Sequence, residues 1–405
     1  MKDAPETPPP DTPRIGAPVD AMGTNQSGMR AHNERLVLTL IRRHGALPKS
    51  DLARLTGLSA QTVSVIMRAL EDERLILRGE PQRGRVGQPS VPMKLNPRGA
   101  FFLGLKIGRR SVEMVLTDFL GAVVARRVRQ HDYPDYESVT AFALEAARDF
   151  AVSLTPVERT RIAGLGIAMP FELWGWAPMV GVAPEAMTPW KLRDIGQDLS
   201  ARLSLPVFLQ NDATAACSAE LVFGQHEQPS DFLHFYVAFF IGGGVVLDGR
   251  LFQGPTGNAG AVGSMPVPDR TGRMRQLIDL ASLVTLERRL QAEGIDTSEL
   301  WTSSDRWDLP EAIVTAWLDE AAEAIAHAIH SALAVLDFSA VKIDGWMPAD
   351  IRSALTRRVA ACLVGHDLTG LNMPELQEGT MGPDARALGA ASQPLLARFL
   401  VGYMR

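Results

Sequence analysis

The sequence predicts an α/β protein with a small, mainly helical module in front, and three observations carry the prediction. From Ala100 onward, apolar strand-like runs alternate with helical patterns. Residues 30–98 instead show tight helical periodicity and then a Gly/Pro-punctuated stretch. The charge divides along the same line. Residues 30–98 hold thirteen basic and six acidic side chains, a balance of +7, whereas residues 99–405 stand at −10 and the whole chain at −5. A compact basic segment on an acidic body implies a polyanion-binding module attached to a separate sensor or catalytic domain.

Composition excludes other classes. Apolar residues make up 46% of the 405 and charged residues 21%, so neither wholesale disorder nor a fibrous fold is expected. No apolar run reaches the ~18 residues of a membrane span. Phe235–Leu247 is too short and is interrupted by glycine. The first residues lack the apolar core and small-residue cleavage site of a secretory signal, so a cytoplasmic protein is expected. Cys217 and Cys362 cannot build a disulfide framework or a four-thiolate zinc site. No 20–50-residue period points to a solenoid or propeller.

Residues 1–29 carry six prolines in the first eighteen positions and are expected to form a disordered tail. A first helix is predicted over about Ala31 to Arg43, with Leu36, Val37, Leu40 and Ile41 on one face and Gly45 placed to stop it. A second starts behind Ser50 and Asp51 and buries Leu52 and Leu55. After Gly57, Ser59 caps a third helix whose Val63, Ile66, Met67 and Leu70 fall at i, i+3, i+4 and i+7. This is the helix-turn-helix arrangement. The third helix then offers Ser59, Ala60, Gln61, Thr62, Ser64 and Arg68 to solvent. Small and amide side chains suit base edges in the major groove, and arginine suits phosphate or guanine. Leu75–Arg78 and Val91–Leu95 read as two strands around a loop whose Arg83, Arg85 and Gln88 form a basic wing tip. Residues 30–98 therefore read as a winged helix-turn-helix domain for double-stranded DNA. The plainer alternative, a protein-binding domain with a solvated charged face, does not explain why positive excess, groove-sized side chains and a basic loop coincide.

In residues 99–405, strands are predicted at Phe101–Ile107, Val112–Thr117, Arg161–Ala168, Val207–Leu209 and Phe232–Phe240. Helices are predicted at Val139–Leu154, Trp190–Leu203, Thr214–Phe223, Asp279–Glu293 and Leu309–Leu336. The Ala-rich segment Leu318–Leu336 offers a packing surface for a second copy.

Residues Asn33 to Arg405 resemble the ROK family (repressor, open reading frame, kinase), particularly its regulators. The runs SDLARLTGLSAQTVSVIMRALEDERLI and RVGQPSVPMKLNP are similar to the family's winged helix-turn-helix. GLGIAMP, Trp190, LPVFLQNDATAACSAELVFG, IGGGVVLDGRLFQGPTGNAGAVGSMP and ALGAAS then appear in family order. The resemblance implies a two-lobed actin-like, ribonuclease-H-like body with a ligand cleft near residues 211–212, and a homodimer or homotetramer on a palindromic operator.

Sugar phosphorylation needs a carboxylate to accept a hydroxyl proton and a Gly-rich, hydroxyl-bearing cradle for nucleotide phosphates. Asn211 and Asp212 stand at the family's Asn-Asp pair, which the resemblance assigns to sugar hydroxyls and to the general base. Read from the residues alone, the pair is a helix cap before Thr214. The nucleotide loops depart from the family pattern. Lys106 replaces the acid of the first, followed by Arg109 and Arg110. Phe239 and Phe240 replace the Thr-Gly of the second. Gly242–Gly244 by itself reads as a tight hairpin. On the sugar side, Gly260-Ala261-Val262-Gly263-Ser264 lacks the family's Glu and His. Asn258, Gly260, Ala261 and Ser264 remain as candidate contacts, with Asp279 a weaker one at the wrong spacing. With no cysteine between Met265 and Leu286, the family's zinc site lacks its ligands. No cofactor or metal is expected.

His327 and His330, three apart on an Ala-rich segment, lack a third ligand nearby in sequence. Trp174, Trp176 and Trp190 are read as packing rather than a sugar-stacking wall, and Cys217 as inert. The expectation is a DNA-binding regulator, a repressor, whose kinase-like domain senses a carbohydrate or related metabolite without being an enzyme. An ATP-dependent sugar kinase with a DNA-binding domain, and a ligand-independent DNA-binding protein, are the alternatives.

Overall fold

A computed structural model describes residues 26–81, 91–224 and 229–403. Helix α1 (Gln26–His44) begins inside the stretch expected to be tail and stops at Gly45, whose φ of 75° suits a residue without Cβ. A short strand β1 (Ala46–Leu47), absent from the sequence reading, leads to α2 (Lys49–Thr56). That helix starts behind Pro48. Ser50 and Asp51 therefore lie in its first turn and do not cap it. Leu52 is buried as expected, but Leu55 is exposed, because the helix is only two turns long and shows one face to the core. Gly57 ends it in the left-handed conformation. Helix α3 (Ala60–Asp72) is capped by Ser59, whose Oγ accepts from the Thr62 amide at 3.1 Å. Its Val63, Ile66, Met67 and Leu70 are all buried, each apolar side chain stabilising the fold by about 1.5–3 kcal/mol. Strands β2 (Ile76–Arg78) and β3 (Met93–Leu95) pair antiparallel, and β3 also pairs with β1, so the sheet runs β1-β3-β2.

The body is two lobes with one strand pattern. In the first, the sheet order is Val123–Gln130, Ser111–Thr117, Phe101–Ile107, Ile162–Ala168, Val207–Gln210. In the second it is Arg250–Phe252, Gly242–Leu247, Phe232–Val237, Ala340–Gly345, Glu375–Glu378. Each sheet has three antiparallel strands in a meander followed by two parallel ones. The run expected as one strand to Phe240 is a hairpin that turns at Ala238–Ile241.

Helices Asp212–Phe223 and Ala385–Phe399 join the lobes and lie in direct contact. A Cβ on Gly389 would sit 1.8 Å from the carbonyl oxygen of Ala215, and one on Gly166 1.8 Å from that of Ala390. Backbone approach this close admits only glycine. Buried Ser218 and Ser392 hydroxyls meet at 2.8 Å, and Gln393 Nε2 donates to Gln210 Oε1 at 2.6 Å. These bonds satisfy the polar groups that so tight an interface encloses.

Three other expectations are corrected. The single helix predicted at Trp190–Leu203 is two, Pro184–Leu192 and Ile195–Leu203, broken where Asp194 accepts from the Gln197 amide and restarts the helix. The helix predicted at Asp279–Glu293 is broken at Ser282. The Ala-rich helix, Glu311–Leu333, is no free packing surface: Ala321, Ala322, Ala324, Ala326 and Ala328 are all buried in the second lobe's own core.

The winged helix shares one core with the body. Val37, Leu38 and Ile41 of α1 pack in a cluster with Phe102, Phe119, Leu396, Phe399 and Leu400. The Arg42 guanidinium donates to the carbonyls of Phe119 at 2.9 Å and Leu120 at 3.1 Å, and lies 5.0 Å from the Phe223 ring centre. Arg35 donates to the Leu400 carbonyl at 3.0 Å, and the Thr39 hydroxyl accepts from the Val401 amide at 3.0 Å. Arg43 reaches Tyr403. The basic excess of residues 30–98 is therefore only partly available to a polyanion. Arg35, Arg42 and Arg43 dock the module, while Arg78 and Arg98 pair with Glu71 and Glu158.

Candidate functional site

Ser59, Ala60, Gln61, Thr62 and Arg68 are exposed, and Ser64 is half-buried. The first turn of α3 and the start of α1 enclose a groove of about 410 Å³ lined by Met29, Arg30, Asn33, Ser59, Gln61, Thr62, Val65 and Ile66. Ser59 and Thr62 spend part of their bonding on each other, their hydroxyls lying 2.8 Å apart. Gln61 is the amide free to turn outward. Val65, which sequence reading passed over, is 53% exposed beside it. Its signal was an apolar residue lying off the buried stripe. Arg83, Arg85 and Gln88 lie outside the described residues, between β2 and β3.

In the body, Asn211 caps helix Asp212–Phe223. Its Oδ1 accepts from the Ala213 amide at 3.0 Å and the Thr214 amide at 3.4 Å. The cap and a ligand-facing role are compatible, since the amide nitrogen stays uncommitted by these bonds. Asp212 accepts from Arg386 at 3.3 Å. The Arg386 guanidinium lies 5.4 Å from the Tyr236 ring centre.

The second group of predicted contacts converges on the same strand. A Cβ on Gly242 would lie 2.6 Å from Ala213, and one on Gly260 2.6 Å from the Gly244 Cα. Strand Gly242–Leu247 is thus sandwiched between the Asn211–Asp212 helix and the loop Asn258–Ser264. Gly260 has φ 80°, and the Val262 amide donates back to its carbonyl at 2.7 Å, which tightens the loop. Asn258, Ala261 and Ser264 are exposed along it. Asp279 instead pairs with Arg275 at 3.5 Å.

The two loops that depart from the family's nucleotide pattern are filled by contacts among the chain's own side chains. Glu287, buried on helix Leu283–Ala292 of the second lobe, lies 3.3 Å from Arg110 and 3.7 Å from Arg109 of the first. It also accepts from Trp301 Nε1 at 2.7 Å. The Arg109 guanidinium sits 4.0 Å from the Phe239 ring centre, and Phe239 packs on Phe240 and Trp301 at 4.7 and 5.4 Å. Trp176 of the first lobe meets Phe240 at 6.0 Å. Arg109 of the first departing loop and Phe239 of the second are therefore direct partners. Glu287 was invisible in sequence because it lies 177 residues from Arg110.

Lys106, in place of the first loop's acid, is buried. Its Nζ donates to Ser111 Oγ at 3.0 Å and lies 5.8 Å from the Trp346 ring centre. Burial, reinforced by the Arg386 charge, pushes its pKa down to about 7. Trp190 is core, donating Nε1 to the Pro134 carbonyl at 2.7 Å, and Cys217 is buried with its thiol pKa raised by burial. His366 joins His330, with Nδ1 atoms 3.2 Å apart, and His327. Among the described residues, no three histidine, cysteine or acidic side chains are arranged to hold a metal ion. None of the described helices is long and apolar enough to cross a membrane.

Fold and site together define a two-lobed, sugar-kinase-like body fused to a winged helix. The ROK family model matches residues 102–392 and a winged helix-turn-helix DNA-binding model residues 30–76; the chain belongs to the ROK family. It is 23% identical to the xylose repressor of Bacillus subtilis over 243 residues, 60% of this chain and 62% of the repressor. Among solved structures it is similar to a ROK family transcriptional regulator described as a homolog of the E. coli MLC protein. That likeness has a TM-score of 0.67 at 22% identity, covering 92% of this chain and 98% of the regulator. The ROK hexokinase of Thermus thermophilus matches with a TM-score of 0.52 at 26% identity, over 72% of this chain and 97% of the hexokinase.

Proposed function

We propose that the protein is a sequence-specific DNA-binding repressor whose kinase-like body senses a carbohydrate and transfers no phosphate. One observation carries the second half of this reading. Where a nucleotide would bridge the lobes, Arg109 and Arg110 bridge them to Glu287 over Phe239 and Trp301. A phosphate chain would have to displace a buried, paired carboxylate and two aromatic rings. The xylose repressor supports a sugar as effector, and the winged-helix match supports duplex DNA as partner.

The effector is held, in this reading, by Asn211, Asp212, Asn258 and the loop Gly260–Ser264. Its binding is relayed along helix Ala385–Phe399. Arg386 at one end bonds Asp212, and about 15 Å away the Leu396 carbonyl, with that of Leu400 just past the helix end, receives Arg35 of α1. A ligand that competes for Asp212 shifts the helix on which the DNA-binding module sits, and linkage makes the coupling reciprocal. A homodimer or homotetramer on a palindromic operator, in the cytoplasm, completes the proposal.

The test is a thermal-shift screen of the full chain against sugars, sugar phosphates and polyols, each with and without ATP·Mg. A sugar at a hundred times its dissociation constant adds about 2.7 kcal/mol. Stabilisation by sugar alone is the expected result. The second reading, an active kinase, is favoured by Asp212 at the general-base position. It requires ATP turnover on a sugar that disappears in Asp212→Asn, and such turnover would overturn the proposal.

A further inference from the structure

Val65 breaks the pattern of α3. The buried stripe is Val63, Ile66, Met67 and Leu70, whereas Val65 projects 53% of its surface to solvent from the same face that carries Gln61. An aliphatic side chain held out in water on an otherwise polar face gains nothing for folding. Its surroundings are not random either. It lines the groove with Gln61 and Thr62 on one side and Met29, Arg30 and Asn33 of α1 on the other. Met29 is itself an exposed apolar side chain, at 62%. On the α3 wall the groove thus presents the Gln61 amide beside Val65, with the apolar Met29 and the Asn33 amide facing them from α1.

We infer that Val65 is a specificity-determining residue that reads a thymine methyl group in the major groove. Thymine C5-methyl is the one apolar group that bases display there, and adenine presents the donor–acceptor pair that an amide such as Gln61 matches. Gln61 and Val65 stand four residues apart, on one face and about 6 Å along the helix. That distance covers one to two base-pair steps of 3.4 Å. The half-site therefore contains a thymine within two base pairs of the position that Gln61 engages. This inference rests on the DNA-binding reading and adds to it a base identity and the residue that recognises it.

The experiment uses the full chain. Binding sites are first selected from randomised duplexes, and each thymine of the selected half-site is then replaced by deoxyuracil, which removes only the methyl group. Affinities of the native protein and of Val65→Ala are measured by fluorescence anisotropy. At one thymine the native protein loses about fourfold on deoxyuracil, the worth of one buried methyl group. Val65→Ala binds the thymine duplex about fourfold more weakly and is indifferent to the replacement. Its slope of log affinity against log salt is unchanged, because no phosphate contact is lost. Its melting temperature does not fall, since an exposed helical valine becomes alanine, the better helix former. If Val65→Ala keeps the native penalty for deoxyuracil, or no thymine shows a penalty, the inference is wrong while DNA binding stands. If no duplex is enriched or bound, both readings fail together.

Discussion

Arg386 donates to Asp212 at 3.3 Å, and so links the first turns of the two interlobe helices across 174 residues of sequence. The Arg386 Nε atom is buried without a hydrogen-bond partner, so Asp212 is its main counter-charge. Asp212→Asn leaves a buried guanidinium half-satisfied and is expected to lower stability by about 2 kcal/mol. Urea denaturation checks this. Unchanged stability would show that the pair carries no weight and would remove the first link of the proposed relay.

Lys106 makes stability depend on pH in an unusual direction. The native chain releases this proton near pH 7, whereas the unfolded chain holds it to about 10.5. Between these values the unfolded state binds more protons, so stability rises with pH. Below pH 7 both states are protonated and this contribution is flat. Lys106→Met removes the slope and stabilises the protein at pH 7. Denaturation midpoints of both proteins at pH 7, 8 and 9 give the comparison. Parallel curves would mean that Lys106 keeps its charge in the fold.

On the DNA face, Gln61→Ala and Arg85→Ala are expected to differ in kind. The first relaxes preference at one base position by about 1–3 kcal/mol. The second weakens all sequences alike and reduces the salt slope by about one. Anisotropy titrations on matched and mismatched duplexes at two or three salt concentrations separate the two effects. If neither variant changes operator affinity, the recognition surface lies elsewhere.

Arg35→Ala removes the guanidinium that clasps the Leu400 carbonyl. Charged hydrogen bonds of this sort contribute about 1.5–3 kcal/mol. The variant is expected to bind operator DNA without effector and to lose most of its response to the sugar found in the screen. A full response in Arg35→Ala would mean that the signal does not pass through α1.

The repeating parts of the fold were legible in the sequence, and its long-range closures were not. The stripe Val63, Ile66, Met67, Leu70 declares α3, because helical period and burial are local properties. Leu55 misled, since apolar character sets a preference for burial but not the length of helix that can satisfy it. Arg35 and Arg42 count toward the basic excess of residues 30–98 but are docking side chains, a distinction that depends on the carbonyls of Leu400, Phe119 and Leu120. The departures at Lys106, Arg109, Phe239 and Phe240 were legible as losses. What stands at those loops instead could not be read, because Glu287 meets Arg109 and Arg110 only through the closure of two lobes.

The shared core between α1 and the helix Ala385–Phe399 also sets an order of events during synthesis. The winged helix is translated first, yet the residues that hold it, Leu396 to Tyr403, follow about 350 residues later. At elongation rates of about 5–20 residues per second that is a delay on the order of tens of seconds. A nascent chain therefore carries a DNA-reading head whose seat is incomplete, and Val37, Leu38 and Ile41 lack Leu396, Phe399 and Leu400 until the last helix emerges. A chain truncated before Ala385 keeps every residue proposed to contact DNA and loses Leu396, Phe399 and Leu400 from the core on which the head packs.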